Sequence, residues 1–274
     1  MVEISSKNNE NIKFARKIIT MSKVRYKEKL FAVEGIRLCS EVFENEVKTV
    51  KIFYTKKCYE KYKCLIDKIL NKDKPEEYVL SETVMKYLSD TEGPQGIICL
   101  CEFIDKKVNI TKIKSCSNII LLENLQNPSN LGSIFRSLNA FNIDLVVMSS
   151  NSCDIYNQKV LRGSMGAVFK LNIINAENFS EFILLLKNQG FKTFATVPKN
   201  GVKSVTCLCE VPKKAVVMGN EGNGISSEVL ELCDNKVTIP MNKNCESLSV
   251  AVAAGIVAWE MSKKEEKEWT SEFT

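Results

Sequence analysis

The 274-residue chain contains no histidine. That absence removes every mechanism built on an imidazole: no Ser-His-Asp triad, no His-ligated metal and no imidazole general base. Any chemistry must use Arg, Lys, carboxylates, hydroxyls, thiols or backbone groups. Long apolar runs are missing too, none approaching the roughly 20 residues of a membrane span. The polar start Met1–Glu10 lacks the apolar core of a secretory signal. These absences predict a cytoplasmic protein with no membrane partner. Cysteine, by contrast, is plentiful, at eleven. The number is odd, and Cys39, Cys99, Cys101 and Cys233 sit in apolar runs, where a reduced thiol packs as a small hydrophobe. Cys99-Leu-Cys101 and Cys207-Leu-Cys209 leave one residue between thiols, short of the roughly two to four of zinc sites, so no metal is expected.

A hydrophobic fraction of 45% with 26% charged residues places the chain among globular proteins of one or two domains. The charge is uneven: residues 1–115 carry net +6 and residues 116–274 net −1. Eight basic side chains fall in the first 30 residues against three acidic ones. Such a run is commonly a solvated helix face, and equally the footprint of a phosphate backbone. Lys7, Lys13, Arg25, Arg37 and Arg162 are the candidate RNA contacts.

Apolar spacing predicts helices over 8–21, 31–44, 59–70 and 81–88, with strands at 50–54 and 96–101. Together they make a small α/β unit over residues 1–108, followed by a polar linker, Asp105 to Ser117. Residues 116–274 alternate strand and helix, with strands at 119–122, 145–148, 169–174, 192–197, 215–218 and 236–239. Continuous apolar strands in such alternation are the pattern of a parallel α/β sheet.

Three segments in this half carry the chemistry. Asn124-Leu-Gln-Asn-Pro-Ser-Asn-Leu-Gly-Ser-Ile-Phe-Arg136 places Asn130 and Arg136 on a helix just beyond a strand's carboxyl end, where open α/β sheets bind ligands. Met218-Gly-Asn-Glu-Gly-Asn-Gly224 joins strand to helix. Its order G-x-x-G-x-G is neither the dinucleotide fingerprint nor a Walker A loop, and its glycines permit close backbone approach to a ligand. Ile239-Pro-Met through Glu246-Ser-Leu248 leads into a helix over 247–262 that is apolar nearly all round, with Ser247 expected at its N-cap.

Together these segments resemble the three signature motifs of the SpoU/TrmH family, S-adenosylmethionine-dependent RNA 2′-O-ribose methyltransferases. Lys159-Val-Leu-Arg-Gly-Ser-Met-Gly166 extends the similarity. Ser5-Ser-Lys-Asn8, Arg25, Phe31-Ala-Val-Glu-Gly-Ile-Arg37 and Thr91-Glu-Gly-Pro-Gln-Gly96 resemble the L30e-like RNA-binding domain of members acting on ribosomal RNA. The resemblance implies a trefoil (SPOUT) knot in the parallel-sheet domain and a homodimer. It implies a catalytic surface of Asn130, Arg136, Glu221 and Ser247. S-adenosylmethionine is expected against Thr196, Gly219, Asn220, Gly222, Gly224, Ile239, Met241 and Leu248. The expected substrate is ribosomal (23S) RNA; transfer RNA, or a weakly catalytic RNA-binding protein of the same fold, are the alternatives. One position departs from the family: Ser249 stands where Asn is usual.

Overall fold

The computed structural model describes residues 3–104, 110–198, 202–242 and 244–263. The chain divides into two compact units, Met1–Asp105 with Asp154–Phe169, and Lys106–Cys153 with Lys170–Thr274. In the first, α1 (Glu10–Thr20) starts where Asn9 accepts the Asn11 amide and buries Ile12, Ala15, Ile18 and Ile19. Then come α2 (Ser22–Glu28), β1 (Leu30–Glu34), α3 (Ile36–Glu44), β2 (Thr49–Thr55), α4 (Lys56–Asp73), β3 (Glu76–Leu80), α5 (Glu82–Leu88) and β4 (Ile97–Glu102). The sheet runs β1-β4-β2-β3, parallel only between β2 and β3.

Residues 31–44 are not one helix. Phe31, Ala32 and Val33 are all buried, as a strand covered on both faces requires, and Gly35 at φ 90° turns the chain into α3. That turn joins two of the quoted segments. The Glu34 carboxylate accepts from Ser89 Oγ, the Asp90 amide (2.9 Å) and Thr91 Oγ1 (2.6 Å), and Gln95 Oε1 accepts the Ile36 amide at 2.8 Å. The helix α2 and strand β3 were not anticipated; their charged residues mask the apolar spacing.

The second unit begins with α6 (Ile110–Ser115), so the described part of the expected linker is helical; residues 105–109 lie outside the described residues. It continues with β5 (Asn118–Leu122), α7 (Pro128–Ala140) and β6 (Leu145–Ser149). The segment that follows, with α8 (Gln158–Ser164) and most of α9 (Ala167–Lys170), packs in the first unit. Then come β7 (Ile173–Ala176), α10 (Phe179–Asn188), β8 (Lys192–Thr196) and β9 (Lys203–Ser204). A 3₁₀ turn (Val205–Glu210) leads to β10 (Lys214–Met218), α11 (Ser227–Leu232), β11 (Asn235–Thr238) and α12 (Val250–Ser262). All seven strands are parallel, ordered β7-β6-β5-β10-β8-β11-β9. The strand expected from Phe169 begins only at Ile173, because Ala167–Lys170 closes a helical turn after Gly166 at φ 93°.

Arg25 was expected at the RNA and is instead a buried structural residue. Its Nε and Nη2 donate to Asp154 Oδ2 at 2.8 and 2.6 Å, and Nη1 donates to the Ile18 and Ile19 carbonyls at 2.8 and 3.0 Å. Tyr156 stacks on Phe31 and Phe103 beside it. Removing one partner strands a buried charge, which costs about 3–5 kcal/mol. Arg25→Ala is therefore expected to lower the urea midpoint by that equivalent. An unchanged midpoint with weakened RNA binding would return the residue to the surface role.

Candidate active site

The carboxyl ends of β8, β10 and β11 open on a cavity of about 430 Å³. Every residue expected at the cofactor lines it: Thr196 from β8, Gly219, Asn220, Gly222 and Gly224 after β10, and Ile239, Met241 and Leu248 after β11. Asn130, Glu221 and Ser247 line it as well. A parallel sheet aligns its strand ends, so three segments far apart in sequence meet at one rim. Sequence reasoning missed Val237, Thr238 and Pro198, whose only signal is their place at the ends of β11 and β8.

The loop after β10 is closed on itself. The Asn220 amide donates to the Gly224 carbonyl at 2.9 Å and the Gly224 amide returns to the Asn220 carbonyl at 3.0 Å. A Cβ on Gly219 would lie 2.3 Å from the Gly224 carbonyl carbon and 2.4 Å from the Ile225 nitrogen. Gly219 is thus required by the loop's own backbone as well as lining the cavity. Gly222 is different: a Cβ there meets only Asn220 Oδ1, at 3.6 Å, with open space beyond. The Asn220 side chain is also committed to the loop, accepting from the Gly222 and Asn223 amides and donating to the Asn124 carbonyl.

Glu221 ties this loop to the start of α7. Its Oε1 accepts from the Asn127 amide and Asn130 Nδ2, both at 3.2 Å, and its Oε2 from the Gln126 amide at 3.3 Å. Burial pushes the carboxyl up, but its own amide, Asn130, Gln126 and Asn127 outweigh that and hold it below the usual carboxylate value. A carboxylate so occupied positions its neighbours. Neither Gln126 nor Asn127 was singled out from sequence, since backbone amides carry no side-chain signal.

Arg136 does not line the cavity. It stands exposed on α7 and makes no hydrogen bond or ion pair to any described residue, so its guanidinium is available. Ser247 is exposed at the rim and is not the N-cap of the last helix. That helix starts at Val250, and Ser249 Oγ accepts the Val252 amide at 3.4 Å. Asn, the family's usual residue, caps helices equally well.

The remaining RNA candidates lie on the first unit. Lys7 sits over the Tyr87 ring at 5.1 Å, Lys13 pairs with Glu10 at 3.0 Å, and Arg162 with Asp90 at 3.0 Å. Arg37 is exposed and has no polar partner among the described residues. Among those residues no three Cys, Asp or Glu side chains gather as a metal site would need, and no helix is long and apolar enough to cross a membrane.

Residues 117–259 match the profile of the SpoU rRNA methylase family, and the chain belongs to that family of methyltransferases. Residues 9–99 match the MRM3-like substrate binding domain. The chain is 29% identical to the 23S rRNA (guanosine(2553)-2′-O)-methyltransferase RlmP of Bacillus subtilis, across 95% of this chain and 99% of that protein. In fold it matches an AdoMet-bound rRNA methyltransferase from Sinorhizobium meliloti, with a TM-score of 0.81 at 22% identity over 95% and 97% of the two chains. It also matches the SpoU methyltransferase AviRb of Streptomyces viridochromogenes with AdoMet, at a TM-score of 0.81 and 21% identity over 93% and 97%.

Two glycine variants separate loop integrity from ligand approach. Gly219→Ala is expected to lower the melting temperature and abolish binding together. Gly222→Val is expected to melt like wild type yet lose at least tenfold in calorimetric affinity for S-adenosylmethionine, the cofactor implied by the resemblance. Undiminished affinity in Gly222→Val would remove this loop from the ligand site.

Proposed function

We propose that the chain is an S-adenosylmethionine-dependent methyltransferase acting on a ribose 2′-hydroxyl of 23S ribosomal RNA. The observation that carries this reading is the meeting of all three motif segments at one cavity on the carboxyl edge of the sheet. The full-length likeness to a relative whose name states that reaction supports the substrate. The basic unit 1–108, matched to a substrate binding domain, serves RNA recognition, and 116–274 serves catalysis.

The cavity suits the cofactor. Met218, Ile225, Val237 and Leu248 offer apolar wall to an adenine ring, while the open space over Gly222 leaves room for its polar part. When bound, the cofactor supplies an electrophilic methyl with its own leaving group. The protein's own share is orientation and electrostatics. Glu221 holds Asn130 and the start of α7 against the loop after β10. Arg136, without a partner among the described residues, holds an RNA phosphate and the attacking oxygen and stabilises the charge that develops there.

The parallel sheet has β8 between β10 and β11, with the cavity drawing on all three strand ends and on the start of α12; we read this as the family's trefoil knot. The same reading makes the protein a cytoplasmic homodimer through α12. Ala254 and Val257 are fully buried within one chain, so charge there would unfold it. Val252 and Trp259 are the apolar residues left 51% and 39% exposed. Val252→Glu is expected to yield a folded monomer in sedimentation, and a dimer that persists would move the interface elsewhere.

The functional test is methyl incorporation from labelled S-adenosylmethionine into a 23S rRNA transcript, with the product mapped as a 2′-O-methyl ribose. Methylation of transfer RNA in place of the transcript would select the alternative substrate. Arg136→Ala is expected to abolish single-turnover transfer while cofactor affinity stays within twofold. Arg136→Lys is expected to lose more than tenfold, about 1.4 kcal/mol in barrier, because an ammonium cannot reproduce the planar fork. A lysine variant of near-normal rate would reduce the arginine's role to charge alone.

A further inference from the structure

The cavity draws on the ends of β8, β10 and β11, and the carboxyl edge of the seven-stranded sheet continues past it to β5 and β6. Those two strands end in Asn124–Asn127 and in the turn Ser149–Ser152, closed by the Ser152 amide on the Ser149 carbonyl at 3.0 Å. The two segments are stitched together. The Asn124 amide donates to the buried Ser149 Oγ at 2.8 Å, which donates back to Asn124 Oδ1 at 3.0 Å. The Cys153 amide donates to the Leu125 carbonyl at 2.8 Å, and Gln126 Nε2 donates to the Asn151 carbonyl at 2.6 Å.

This stitching leaves polar groups over for a ligand. Gln126 is exposed, and its Oε1 has no partner among the described residues; the single bond from Nε2 fixes how the carboxamide is turned. Asn151 is exposed too, and its side chain has no polar partner among the described residues. The shelf adjoins the reaction. The Glu221 carboxylate that accepts the Gln126 amide at 3.3 Å also accepts from Asn130, on the cavity wall. No lysine or arginine falls within 124–130 or 149–153, so these segments offer no cation to a phosphate. A carboxamide instead presents a donor and an acceptor side by side, the pattern that pairs with the edge of a base. In single-stranded RNA those edges are open to such contacts.

We infer that the carboxamides of Gln126 and Asn151 read the base of the nucleotide whose ribose is methylated, which makes this shelf the base-specificity subsite beside the cavity. The inference rests on the RNA reading above. It gives a use to two exposed side chains that cofactor binding and methyl transfer leave idle. The competing account is that Gln126 only closes its loop onto Asn151, in which case its side chain affects folding or rate without regard to the base.

Single-turnover methyl transfer by the full-length protein tests this, on 23S rRNA transcripts that differ only in the base at the methylated position. Wild type is expected to favour one base by about tenfold or more, the scale of one well-placed carboxamide pair. Gln126→Leu and Asn151→Ser are each expected to cut that preference about fivefold by slowing the favoured transcript, while S-adenosylmethionine affinity holds. Asn151→Ser keeps the main-chain carbonyl that Gln126 holds, so it carries the test should Gln126→Leu fail to fold. Equal slowing on every transcript in a folded variant, or an unchanged preference, overturns the subsite and leaves Gln126 as a loop closure. A wild type that methylates every transcript alike overturns it as well. A wild type that methylates none removes the RNA reading and this subsite together, whereas a selective wild type beside variants of unchanged preference removes only the subsite.

Discussion

The candidate site depends on one carboxylate. Glu221 lies in the loop after β10 and gathers the Gln126 and Asn127 amides and the Asn130 amide group from the start of α7. The first turn of a helix has backbone donors without intrahelical partners and a partial positive charge, so a carboxylate placed there satisfies both at once. The bond set keeps Asn130 at the cavity wall and fixes the direction in which α7 carries Arg136. A second tie comes from the same loop, where Asn220 Nδ2 donates to the Asn124 carbonyl at 2.7 Å. The closed backbone of Asn220 and Gly224 gives Glu221 a rigid base, and Gly219 allows that closure because it has no Cβ.

Around this clamp the carboxyl edge of the sheet builds the cavity. The carboxyl edge of the parallel sheet gathers glycines, short polar side chains and apolar wall, a composition suited to a small ligand. In the first unit the basic residues divide: Arg25 is consumed in the interior, while Lys7, Lys13 and Arg37 remain on the surface.

Much of this architecture was legible from residues alone. Apolar runs at 119–122, 145–148 and 215–218 had to be covered on both faces, and those strands lie in the middle of the sheet. The motif order located the cavity, since strand ends in a parallel sheet share a rim. The readings failed where a local pattern was ambiguous. Phe31–Val33 fits a helical stripe as well as a strand, and only burial on both faces decides between them. Ser247 and Ser249 are both plausible caps, and the choice depends on where the preceding loop lets the helix begin.

The sequence by itself determined the absence of imidazole chemistry, the parallel sheet and the identity of the residues at its rim, because side-chain type and apolar period are local properties. Tertiary structure alone decided what those residues do. Arg25 looks like any surface arginine until Asp154, 129 positions away, is folded against it. Gly219 looks like a ligand contact alone until the Gly224 backbone is seen to need its missing Cβ as well. Glu221 looks like any loop carboxylate until its oxygens are counted against their donors. In each case the deciding partner is remote in sequence, and a charge or a missing Cβ takes its meaning from what the fold brings to it.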